Sequence, residues 1–108
     1  MTVGLSDKTR QLVNLYFPDE GDSNIVSQLL TTECGSNIPL CNSHSPEDME
    51  RIRFAVLKQT NGDISKFDLV LNLAKTDWRD LLMAADFGHN LRAHITWYEE
   101  IIANPRAV

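Results

Sequence analysis

The sequence predicts an all-α fold, a compact bundle of five to six short helices. Three observations lead there. Apolar residues recur along the chain at the spacing that puts them on one side of a helix. The segments that carry this period open on Ser, Thr, Asp or Asn and close on Gly, Pro or Asn, the residues that start and stop helices. Short polar turns such as DEGD and NGD separate several of them, which makes successive helices neighbours.

The first helix follows Ser6, which can cap it. Asp7 suits the positive end of the helix dipole, and Leu12, Val13 and Tyr16 share a face. Pro18 ends it, and DEGD forms the turn. The second starts near Asp22 or Ser23, with Ile25, Val26, Leu29 and Leu30 on one stripe and Gly35 placed as its stop. GSNIPLCNSHS, residues 35–45, has no helical period and holds Pro39, so it is expected to be an irregular loop.

The third helix has the clearest start: Ser45 as N-cap, Pro46 at the first position, Glu47 and Asp48 on the dipole. Met49, Ile52, Ala55 and Val56 lie along one side, and Phe54 and Leu57 widen the apolar arc, which predicts a central helix buried on more than one face. NGD at 61–63 stops it. Asn-Gly is also a hairpin signal, and ISKFDLVLNLAK also alternates at strand spacing, so an α+β arrangement with a hairpin around residues 52–73 is the alternative. Length and the Leu and Lys content favour a fourth helix. In TDWRDLLMAADFG, Thr76 is read as the cap, Trp78, Leu81, Leu82 and Ala85 as the inner face, and Gly88 as the stop. Asn90 can cap the last segment, where Leu91, His94, Ile95, Tyr98, Ile101 and Ile102 align, and Asn104-Pro105 closes it.

The chain has 108 residues, enough for a single helical domain spanning 1–108 with its own core. Ten Lys and Arg stand against 15 Asp and Glu, a formal net charge of −5. That balance opposes a phosphate backbone, and no nucleic-acid partner is expected. No apolar run approaches the roughly 18 residues needed to span a bilayer, so no membrane is expected. Met1 to Ser6 lacks the basic start and apolar stretch of a secretory signal, and only Cys34 and Cys41 are present, so the expectation is a cytoplasmic protein with reduced thiols.

The blocks ECGSNIPLC, ERIRFAVLK and AKTDWRDLLMAADFG resemble those of a group of small bacterial proteins of unknown function, over roughly residues 30–98. Members of the group tend to carry glycine where this chain has Asp86. The resemblance implies a bacterial, cytoplasmic setting, and no activity, substrate or cofactor.

Several constellations invite a chemical reading. Asp77 and Asp80 share a helical face with Arg79 between them, but acids in a first turn are what a helix dipole favours. Cys41 and His44, with Cys34 upstream, mark a loop that could carry a nucleophile or a metal; the spacing is not a standard zinc signature, and neither a metal nor another cofactor is expected. His89 and His94 are five apart, not four. His94, on the apolar stripe, is expected to be partly buried and hydrogen-bonded. Arg51 and Lys58 share a face of the third helix and suggest a groove for an anion or an acidic peptide. Trp97 lies off the stripe of its helix and must meet another helix, a second subunit or solvent.

No phosphate-loop, dinucleotide, serine-hydrolase or zinc-protease signature is present. The leading expectation is therefore a small interaction module that binds a protein partner or itself, with Trp97, Trp78 and Arg79 as interface candidates. A small enzyme or metal-binding protein using the Cys41/His44 loop is one alternative; a regulatory, antitoxin-like partner protein is another.

Overall fold

The computed structural model describes residues 5–33, 46–88 and 92–104. Six helices follow one another: α1 Asp7–Tyr16, α2 Glu20–Glu33, α3 Pro46–Thr60, α4 Ile64–Thr76, α5 Trp78–Ala84 and α6 Ala93–Ala103. The described residues form no strand, so the hairpin around residues 52–73 is replaced by α3 and α4. The fold is the all-α bundle that the helical period predicts.

α3 is the axis of the molecule. It packs against α1, α4, α5 and α6, while α2 leans on α1 and α4. Every residue from Ile52 to Leu57 is buried. A helix covered on all sides loses its polar stripe, which is why RIRFAV can pass for an alternating strand. Arg53 is buried within that run, 1% exposed, and is partnered there, as a core charge must be.

The helix ends follow from local chemistry. Ser6 caps α1, its Oγ accepting from the Thr9 amide at 3.1 Å. α2 begins earlier than the sequence suggests: Asp19 Oδ1 accepts from the Asp22 amide at 3.1 Å, so the DEGD turn is a cap plus a first helical turn. The predicted stop at Gly35 and cap at Ser45 lie outside the described residues, as do Cys34, Cys41, His44, His89, Asn90 and Leu91.

Asn61 and Gly62 both take positive φ, 51° and 79°, and the Asp63 amide donates to the Thr60 carbonyl at 3.0 Å. This is the turn that Asn-Gly makes in hairpins, here joining two helices. Asp63 then caps α4, accepting from the Ser65 amide and hydroxyl, and those two bonds hold its carboxyl below its ordinary range.

Asp77, not Thr76, caps α5. Thr76 is the last residue of α4, and Asp77 Oδ1 accepts from the Asp80 amide at 3.2 Å while its own amide closes α4 on Leu73. Gly88 is not the stop either. Asp86 carries the left-handed turn at φ 64°. Its amide donates to Met83 and the Phe87 amide donates to Leu82, the paired bonds of a Schellman close. A glycine is the easy residue at such a position.

Candidate functional site

Two places on the bundle gather the residues that drew attention in the sequence. The first is the corner where α6 crosses α3 beside the turn that closes α5. Phe54, fully buried on α3, stands at its centre. Its ring stacks on Tyr98 at 5.8 Å and meets His94 and Trp97 edge-on at 5.5 and 5.8 Å. Phe87, which emerges from the Schellman close, touches His94 and Trp97 at 6.2 and 5.7 Å. Trp97 also stacks on Tyr16 of α1 at 6.2 Å. Trp97, off the apolar stripe of its helix, thus sits partly buried on three rings from three different segments.

His94 is the one buried side chain that α6 contributes. It is 3% exposed. Its Nε2 lies 3.9 Å from Glu50 Oε1, beyond hydrogen-bond range, and its buried Nδ1 has no hydrogen-bond partner. The other Glu50 oxygen, Oε2, accepts from the Ser6 hydroxyl at 2.7 Å. A serine, a glutamate and a histidine meet here, but in the wrong order for a nucleophile. The hydroxyl proton goes straight to the carboxylate, and Ser6 Oγ is taken up in capping α1. A nucleophilic serine needs the imidazole between them. The Ser6–Glu50 bond ties the start of α1 to α3, and His94 of α6 packs beside it.

Arg51 and Lys58, which the sequence places on one face as a possible anion groove, are both turned to one task. Arg51 Nη2 donates to the Phe87 carbonyl at 2.6 Å, Lys58 Nζ to the Ala85 carbonyl at 2.7 Å, and the neighbouring Gln59 Nε2 to the Ala84 carbonyl at 3.0 Å. Lys58 Nζ also lies 5.0 Å over the Phe87 ring. Cations at the negative end of a helix dipole are favoured, and these side chains satisfy carbonyls that α5 cannot. The two cations that the sequence suggests for an anion groove are thus each bound to a carbonyl.

The second place is the outer face of α5. Trp78 is partly buried against the core, and the Arg79 guanidinium lies 5.3 Å over its ring. Met83 is one turn on from Arg79 on the same side and is 68% exposed. A Cβ at Gly88 would run into the Met83 side chain, so the thioether lies folded over that glycine. Asp77 and Asp80, flanking Trp78 and Arg79, serve the cap.

The sequence marked Trp78, Arg79 and Trp97, and the fold divides them: the first two share the α5 face, the third belongs to the α6 corner. Cys41 and His44 lie outside the described residues. Among the described residues no group of three or more His, Cys, Asp and Glu side chains could hold a metal, and no helix is long and apolar enough to cross a membrane. Phe54, Phe87, Glu50 and Met83 are the site residues that sequence reasoning passed over as such; only the apolar breadth of α3 hinted at Phe54. Comparisons with family models, curated proteins and solved structures find no match to this chain.

Proposed function

We propose that this chain is a small helical interaction module that docks a protein partner through the outer face of α5. One observation carries the reading: Arg79 stacks on the half-buried Trp78 while Met83, one turn further, stands 68% exposed beside Gly88. Tryptophan, arginine and methionine are the side chains that protein interfaces enrich, and truncating the first two costs most. The fitting partner lays an apolar side chain against Trp78 and Met83 and brings a carboxylate to the free edge of the Arg79 guanidinium. The likeness to small bacterial proteins makes a bacterial cytosolic lysate the place to look.

The test is a photo-crosslinking residue at position 83, irradiated in such a lysate and in the purified protein, with mass in solution measured alongside. A discrete adduct, lost on Arg79→Glu with helicity unchanged, supports docking on α5. A self-adduct with a dimeric mass makes the partner a second copy. A monomer that yields no discrete adduct at position 83 refutes the reading.

A further inference from the structure

We propose that protonation of His94 releases α6 from α3, making the last helix the acid-sensitive element of the fold. Of the residues on this helix only His94 is buried; Ala93, Ile95, Trp97, Tyr98, Ile101 and Ile102 are partly covered, and Thr96, Glu99 and Glu100 are exposed. The one ring that α6 buries is polar and wedged between Phe54 and Phe87, the two rings that Trp97 and Tyr98 also meet.

That wedge has room for a neutral imidazole and poor provision for a charged one. Imidazolium has two N–H donors and wants an acceptor for each. Nδ1 has none, and Nε2 is 3.9 Å from the carboxylate that faces it among the described residues, that of Glu50. The Glu50 carboxylate also accepts the Ser6 hydroxyl. The other charges that His94 feels are Arg51 from α3, Lys8 from α1 and Arg92 beside α6, all positive. Burial of the ring holds His94 below the ordinary histidine range; Glu50 works against this, while Arg51, Lys8 and Arg92 add to it.

The sign follows. A histidine lowered in the fold takes up its proton more easily once the helix has left, so the released state gains protons as pH falls. The share of the hold on α6 that rests on a neutral His94 is complete above the ordinary value of about 6.5, weakens as pH drops below it, and is gone once pH passes the lower value of the docked ring. One proton per release makes the opening constant rise by up to about tenfold for each pH unit in that window, then level off. Release uncovers Phe54 and Phe87, the rings that Trp97 and Tyr98 now cover.

Amide hydrogen exchange across pH 7.5 to 4.5, expressed as protection factors, reads this directly, with the His94 ring titrated by NMR in the same samples. Expected is a loss of protection confined to α6 that begins below about pH 6.5, while α3 and α4 keep theirs. His94→Leu and His94→Gln remove the titrating group and should flatten the α6 profile; two variants guard against one that fails to fold. Glu50→Gln keeps an acceptor for Ser6 but removes the one charge that favours imidazolium, so its α6 loss should be larger at pH 4.5 than in the unaltered chain. A docked His94 that titrates at or above 6.5 overturns the proposal. So does loss of protection in all helices together, or an α6 profile that still falls in both His94 variants.

Discussion

Replacing Trp97 with alanine separates the two duties that its position allows. The ring meets Tyr16, Phe54 and Phe87 at 6.2, 5.8 and 5.7 Å. A tryptophan offers roughly 200 Å² to bury, and about two-thirds of that, ~130 Å² at ~25 cal/mol/Å², comes to ~3 kcal/mol. Ring pairs add about 0.5–1.5 kcal/mol where they are well oriented, and partial collapse of neighbouring side chains into the gap takes some of it back. The expected loss is about 3 kcal/mol in a urea unfolding curve followed by far-UV circular dichroism at pH 7.5. At roughly 4–8 °C per kcal/mol for a chain of this size, the thermal midpoint falls by more than about 10 °C. A loss under about 1 kcal/mol refutes the reasoning, because it means the three rings do not hold Trp97 as their spacing requires. If the same variant keeps its stability yet loses a partner or a dimer, Trp97 is an interface residue and the α6 corner is built differently.

Three further substitutions test the supports of the fold. Gly62→Ala puts a Cβ on a residue at φ 79° and 3.1 Å from the Tyr16 carbonyl, so it should cost about 1–3 kcal/mol in the same assay. Lys58→Met keeps the stem over Phe87 but removes the bond to the Ala85 carbonyl and the charge at the end of α5; the expected cost is about 1–2 kcal/mol, with faster amide exchange at 84–87. Ser6→Ala strips the cap of α1 and the hydroxyl that Glu50 holds, for about 1–2 kcal/mol, which thermal unfolding reads.

The helix ends that one residue decides were legible in the sequence. Ser6 caps α1, Pro18 bars its extension, Asn61-Gly62 breaks α3 from α4, and Asn104 follows α6. Where two cap residues stand side by side the choice was not legible. Thr76 and Asp77 are both good caps, and Asp77 takes the place because a continuous run from α4 reaches Thr76 with its hydrogen bonds intact. Likewise Gly88 looked like the stop because glycine usually supplies the left-handed residue, and here Asp86 supplies it. Trp97 looked stranded for a different reason. A single stripe assumes a helix lying on one flat neighbour, whereas α6 lies in a corner, where Tyr98 reaches Gln11 of α1 and Trp97 meets Tyr16 of α1, Phe54 of α3 and Phe87. The face shared by Arg51 and Lys58 was visible from their spacing. Their target was not, since carbonyls at the end of another helix leave no trace in sequence.

α5 is the element that ties these observations together. It has seven residues, far too few to hold a helix by itself, and no basic residue in its last turn. Its N-terminus is fixed by Asp77, and its C-terminus by the Schellman bonds and by three side chains from α3. The turn so fixed delivers Phe87 to the α6 corner and Gly88 under Met83. The same three donors therefore set two outputs at once. One is the aromatic seat on which His94 and Trp97 dock; the other is the direction in which Trp78, Arg79 and Met83 face outward. A charge lost from α3 should thus loosen α6 and blur the α5 face together. A charge lost from Arg79, exposed and stacked, should leave α6 untouched.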